Sequence, residues 1–247
     1  MTPNSFKMNS KLKRLSRTVE RIIEYPRVLT GKFKGINSNH CYTCLTTQDL
    51  IGEVKTIIDI GANEGLFIKA AKYIFPKAKI YAFEPQIKFY NIIKEIKNVT
   101  AFNFGLWDKE GESMFYVNRE NTGASSFLKP LTNYTKYIGA KDKLSEVRLQ
   151  QKRFDKLKIS IERPCFVKID VEGAETNVLR GFGNRLKEVD VLQIEWFFKD
   201  FHKKQMKLGN LIPLLEKYGF IGFVQRELGY IEGCPSACDL IFFKKKN

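Results

Sequence analysis

Hydrophobic positions change period repeatedly along this chain, and each change marks an element. Residues 54–60, 79–84, 99–104, 165–171 and 189–196 are short, mostly apolar runs rich in β-branched and aromatic residues, the pattern of buried strands. Between them apolar residues fall three and four apart, as in Leu66, Ala70, Tyr73 and Ile74, which predicts helices over 65–74, 86–97, 174–179 and 203–218. Residues 112–117 read as an added strand, and 220–225 against 239–244 as a terminal hairpin. Upstream, Leu12, Leu15, Val19, Ile22 and Ile23 share one face of a helix over 10–24 that ends before Pro26. Residues 27–46, with Gly31, Gly35, Asn37 and Asn39, read as a loop leading to a short helix at 47–53. Residues 118–150 have no clear period, and their charged end reads as helical or mobile. A stretch this long inside an α/β domain is expected to act as a lid or substrate cover. The alternation as a whole predicts a mostly parallel sheet with helices on both faces, binding its ligand beyond the carboxyl ends of the strands.

Length and charge refine this picture. The chain has 247 residues, enough for a basic helical extension (1–53) and one α/β domain (54–247) with 118–150 inserted in it. No apolar run approaches the ~18 residues of a membrane span, and the basic N-terminus lacks the apolar core of a signal peptide. A cytoplasmic location is expected, with a peripheral position at the inner membrane face as a variant. The formal charge is +15, and residues 1–34 carry nine Lys/Arg (Lys7, Lys11, Lys13, Arg14, Arg17, Arg21, Arg27, Lys32, Lys34) against Glu20 and Glu24. Such a surface suits polyanions, anionic headgroups or sugar-nucleotide phosphates, though a solvated basic face explains it equally well. The helix over 10–24 has three placements: docked on the main domain, which is preferred, laid on a membrane, or in a homodimer contact. Cys41-x-x-Cys44 and Cys234-x-x-x-Cys238 have ligand-like spacing, but nothing in the sequence brings the pairs together, and no metal is predicted.

The chemistry concentrates at two strand ends. Strand 54–60 runs into Asp59-Ile60-Gly61-Ala62-Asn63-Glu64-Gly65, and strand 79–84 ends in Phe83-Glu84-Pro85. Glycines allow close backbone approach to a ligand, and an acid closing the second strand accepts hydrogen bonds from two ribose hydroxyls. G-x-x-x-G is not the dinucleotide G-x-G-x-x-G, which disfavours a nicotinamide oxidoreductase. Asp59 before the turn repels a pyrophosphate and suits an ammonium group, a combination found in S-adenosylmethionine. The second site is Lys168-Ile169-Asp170-Val171-Glu172-Gly173, where alternation puts Lys168, Asp170 and Glu172 on one side. They are read as a working cluster near the binding edge or as a Lys168–Asp170 ion pair, with Glu172 and Glu175 serving the next helix's N-terminus. The two readings are compatible.

The pieces I-D-I-G-A-N-E-G, F-E-P, G-L-W-D-K-E-G, T-G-A-S-S and K-I-D-V-E-G-A-E followed by L-R-G resemble the FkbM family of S-adenosylmethionine-dependent methyltransferases, over about residues 54–243. The resemblance implies a class I methyltransferase (Rossmann-like) sheet of seven strands with the last antiparallel, and methyl transfer to hydroxyls, often of sugars in glycans, glycolipids or secondary metabolites. It implies that Asp59, Gly61 and Gly65, with Ala62 and Asn63 in the same turn, hold the methionine part of the cofactor. Glu84, backed by Pro85, would hold the ribose, and Asn103, Gly105 and Leu106 would lie near the adenine. Asp170 and Glu172 would sit where donor and acceptor meet. Trp107 stands where the family commonly has a small residue.

Methyl transfer aligns oxygen, methyl and sulfur and removes a proton from the attacking hydroxyl. Asp170 or Glu172 is the expected base, Lys168 belongs to the same catalytic cluster, and His202 after strand 189–196 is the outside alternative. A metal bridging Asp170 and Glu195 is not predicted. The expected partners are a small-molecule or glycan acceptor and an anionic membrane surface through residues 7–34. Rival readings are an RNA methyltransferase, disfavoured because no N-P-P-[FY] follows strand 165–171, and a non-catalytic basic membrane-docking module.

Overall fold

A five-residue strand, β1 (Thr56–Ile60), is buried along its whole length and organises the molecule. The computed structural model describes residues 10–137, 144–203, 205–231 and 234–245. Residues 1–9 with Lys7, the stretch 138–143, and the side chains of residues 10–14, Leu12 included, and of Cys234 lie outside the described part.

β1 pairs in parallel with β2 (Lys79–Phe83) on one side and with β7 (Cys165–Ile169) on the other. The sheet continues outward through β3 (Val99–Phe102) and, on the far side, β8 (Val191–Phe197), β10 (Cys234–Lys244) and β9 (Phe220–Ile231), in the order β3-β2-β1-β7-β8-β10-β9. β10 is antiparallel to both its neighbours, so the seven-stranded sheet with an antiparallel last strand is as expected. The chain winds one way from β1 and then returns to wind the other way from β7. This reversal opens a crevice at the carboxyl ends of β1 and β7, where open α/β sheets bind their ligands.

Side-chain alternation sorts the strands' apolar residues into two cores. Ile58, Ile60, Val167, Ile169, Leu192, Ile194 and Phe242 pack under α7 (Glu175–Phe182) and α8 (Leu208–Glu216), with Phe154 stacked on Phe182 at 4.0 Å between ring centroids. Ile57, Phe166, Val191 and Ile241 pack on the other face under α3 (Ser38–Ile51) and α4 (Leu66–Ile74). Cys41 and Cys44 are buried in this second core and Cys238 in the first, so Cys238 lies on the opposite side of the sheet from Cys41 and Cys44.

Four sequence expectations are corrected. Residues 27–46 are not a loop: α2 (Arg27–Phe33) follows α1 (Ser10–Glu24), and α3 begins at Ser38, nine residues before the expected helix. Asn37 caps α3 by accepting from the backbone N–H groups of Asn39 and His40. Residues 41–47 of α3 are all buried, so there was no amphipathic stripe to read, and Gly31 serves as a spacer, with room only for the Cys41 sulfur and the Tyr73 ring. The charged end of 118–150 is a strand, β6 (Leu144–Lys152), paired antiparallel with β5 (Gly111–Asn118) and in parallel with β4 (Gly105–Leu106). Its alternation faces solvent, which explains the missing hydrophobic signal. The helix expected over 86–97 is α5 (Ile87–Ile93), followed by a left-handed Asn98. That expected over 203–218 begins only at Leu208.

Candidate active site

The crevice at the switch point is lined by four groups of residues. Gly61, Asn63, Glu84, Pro85 and Gln86 come from the loops after β1 and β2, and Gly105, Leu106 and Trp107 from β4 and its end. Thr122, Gly123, Ser125 and Phe127 come from the T-G-A-S-S segment, and Asp170, Val171, Glu172 and Glu195 from the ends of β7 and β8. Loops directly after strands of the main sheet hold the residues after β1, β2, β7 and β8, while the T-G-A-S-S segment reaches the crevice from the insertion.

Glu84 is almost fully buried, and each of its carboxylate oxygens accepts one backbone N–H, from Gln86 at 2.8 Å and from Asn63 at 2.9 Å. Each oxygen keeps a second lone pair for a donor in the crevice, as two adjacent ribose hydroxyls would supply. Burial pushes its carboxyl up to about 7, although the N–H groups of Gln86 and Asn63 pull it back. Asn103 does not line the crevice; its side-chain amide donates to the Glu84 and Pro85 carbonyls and shapes that turn from behind.

Gly61 has φ +79°, and a Cβ there would stand 1.9 Å from the Asp170 carbonyl oxygen. Asp170 N–H in turn donates to the Ile60 carbonyl at 3.0 Å, so the two loops are held flush. Gly61→Ala is expected to cost about 3 kcal/mol from the conformation and the collision together, or ~6–12 °C in Tm for a chain of this size. Thermal unfolding checks this. Gly65 stays out of the crevice: its left-handed φ of +74° starts α4 against Ile93 and Ile96.

Asp59 is fully buried and set back from the lining, and neither of its oxygens has a hydrogen-bond partner among the described residues. Its nearest cation is the Lys168 ammonium at 3.8 Å, which lies 2.8 Å from Asp170. Burial pushes Asp59 up to about 6 against the pull of Lys168. Burial alone would depress Lys168, but Asp170 and Asp59 outweigh it and push the lysine above its ordinary value, so it remains charged and cannot take a proton. Asp170, also opposed by burial, is held below the usual carboxylate range by Lys168. The Lys168–Asp170 ion pair therefore forms at the crevice wall, beside the carboxyls of Glu172 and Glu195.

One oxygen each of Asp170, Glu172 and Glu195 lies within 4.8 Å of the others. Glu172 has a left-handed backbone, φ 56°, and accepts a 2.5 Å hydrogen bond from the Tyr134 hydroxyl on α6 (Thr132–Tyr137). Burial and then Asp170 push Glu172 up to about 8, and burial with Glu172 and Asp170 raises Glu195 well above its ordinary value. Burial and mutual repulsion favour the protonated forms of Glu172 and Glu195 beside the ionised Asp170, and we assign no ion to the trio. Glu175, expected beside Glu172 at the helix start, alone does that work, accepting from Gly173 N–H at 3.0 Å.

His202 does not reach the crevice. It is buried against Gly173, Tyr134 and Phe197, and neither ring nitrogen has a partner among the described residues. Burial lowers it to about 4, so it is neutral near pH 7. His40 was not foreseen: the first turn of α3 brings it, with Ala62, Asn63, Asn121 and Lys168, to a second opening beside Asp170. Burial and then Lys168 lower it to about 4. Tyr134 was missed for the same reason, since neither carries a local sequence signal.

Residues 59–221 match the methyltransferase FkbM domain. The chain belongs to this family. Its members transfer a methyl group from S-adenosylmethionine, which makes this chain a methyltransferase with that cofactor. Among curated relatives, methyltransferase SdnD of Sordaria araneosa is 28% identical over 177 residues, covering 60% of this chain and 67% of that protein. The 2-O-methyltransferase NoeI of Sinorhizobium fredii is 21% identical over 177 residues, covering 67% and 72%. Among solved structures, the N-terminal domain of EvdMO1 in the presence of SAH and D-fucose superposes with a TM-score of 0.47 at 10% identity, over 85% of this chain and 84% of that one. The crevice of this FkbM chain fits the cofactor on its own chemistry: a buried carboxylate with two lone pairs to spare, and a glycine turn where no Cβ is tolerated.

Proposed function

We propose that this FkbM methyltransferase methylates a hydroxyl group, most plainly that of a sugar in a glycan, glycolipid or secondary metabolite. The observation that carries the reading is the Asp170, Glu172 and Glu195 cluster on the crevice wall. Bound S-adenosylmethionine supplies an electrophilic methyl group. Glu84 would hold the ribose, Gly61 and Asn63 would border the methionine end, and Gly105, Leu106 and Trp107 would border the adenine. Sugar hydroxyls are weak acids, so their attack gains from a base within reach. Glu172 takes that proton, with Asp170 kept ionised by Lys168 to orient the acceptor. Carboxylate and amide groups around the second opening (Asn63, Asn121, Asp170) suit a polyol better than an apolar ring. NoeI, a 2-O-methyltransferase, is in keeping with oxygen as the target.

The test is transfer of labelled methyl from S-adenosylmethionine to a panel of free, nucleotide-linked and lipid-linked sugars, with the new bond located by NMR. A product carrying an O-methyl ether supports the reading; methylation of amines alone would overturn it.

The pH dependence has a defined sign. A base must be unprotonated, so activity should rise with pH through about 8, as a property of the three coupled carboxyls. Tyr134 favours the charged form of Glu172 by donating to it, so Tyr134→Phe should move this limb to higher pH. A pH–rate profile of the two proteins measures the shift. An unchanged limb would mean that the limb belongs to another group.

A further inference from the structure

We propose that α1 and α2 dock on the surface of an anionic lipid bilayer. The inference stands apart from the acceptor's identity. It rests on how the structure turns the N-terminal helices.

Among its described residues, α1 is anchored to the domain through Arg21 and Glu24. Arg21, 8% exposed, donates to the Asn39 side chain at 2.6 Å, and Glu24 accepts from the Tyr42 hydroxyl at 2.6 Å. The opposite side presents Leu15, Val19 and Ile23, spaced four apart on one stripe and 57%, 47% and 76% exposed. α2 adds Leu29 and Phe33, again four apart, and Phe33 is 83% exposed. Five large apolar side chains left outside on two consecutive short helices are not a cost that the fold requires, since Val28 and Ile22 show that both helices also have inward positions.

Charge decides the occupant. The acids of α1, Glu20 and Glu24, line a groove with Gln225 and Arg226 on β9. Arg27, Lys32 and Lys34 are exposed on and just after α2. An apolar stripe flanked by cations matches an interfacial helix, whose apolar side chains enter the acyl boundary while the cations meet acidic headgroups. A second copy would bring these cations against each other, and a nucleic acid would satisfy the cations while leaving the aliphatic stripe in water. The stripe belongs to the same N-terminal unit as the crevice's second opening, since Asn39, which Arg21 holds, precedes His40.

The experiment is flotation of the whole protein with vesicles of phosphatidylcholine alone and with phosphatidylglycerol added. Wild type should float only with the acidic vesicles and be released by salt. Leu15→Asp/Ile23→Asp and, separately, Phe33→Ser should weaken binding at least ~10-fold, while Tm and S-adenosylmethionine affinity stay at wild-type values because these positions are exposed. Failure of the wild type to float at low salt would overturn the proposal. So would undiminished flotation of both variants, or light scattering that shows a dimer dissociated by the same substitutions.

Discussion

Glu84→Ala is expected to weaken S-adenosylmethionine binding by about 100- to 1000-fold, read by calorimetry. Two hydrogen bonds from ribose hydroxyls to a charged acceptor contribute about 1.5–3 kcal/mol each, and a loss of ~3–4 kcal/mol corresponds to that range. The same carboxylate anchors the Asn63 and Gln86 N–H groups, so its removal also loosens the two loops that frame the cofactor. Because burial raises Glu84 to about 7, the free protein should take up a proton there as pH falls below 7. The hydroxyls favour the charged form, so wild-type affinity should weaken toward acid, by about tenfold per pH unit at most. Glu84→Ala should lose that dependence. Binding by the variant within threefold of wild type would remove Glu84 from the ribose site.

Glu172→Gln is expected to lower kcat by about 10²- to 10⁴-fold, the usual contribution of a positioned base, with S-adenosylmethionine affinity unchanged. The substitution preserves shape, and the amide oxygen still accepts from Tyr134, so α6 and the insertion keep their place. Single-turnover kinetics on a sugar acceptor, beside calorimetry of the cofactor, separates chemistry from binding. Retention of more than a fifth of the rate would move the base to Asp170 or Glu195, which share its cluster. His202 is a poorer alternative, enclosed and outside the crevice.

What could be read in advance depended on whether a residue's role was local. The strand–turn–strand succession around Asp59, Gly61 and Glu84 was legible because apolar runs and turn glycines are dictated by neighbours in sequence. Even there, roles shifted. Asp59 proved to be a buried partner of Lys168, and Asn103 and Gly65 proved to be supports behind the crevice. β6 was misread because a strand with one solvated face and charged residues lacks the hydrophobic period. α3 was misread because a helix buried on most sides has no stripe.

By itself the sequence determined the α/β alternation and the identity of the acids at the strand ends, since these follow from periodicity and from the order of elements. Only the tertiary structure decided which acids become neighbours. Asp170, Glu172 and Glu195 come from two strand ends and become a cluster of neighbouring carboxyls through packing, while Tyr134 and His40 reach the site from an insertion and an N-terminal helix. The reason is physical: the charge state of a carboxyl depends on what water is removed and which charges replace it, and those neighbours are distant in sequence.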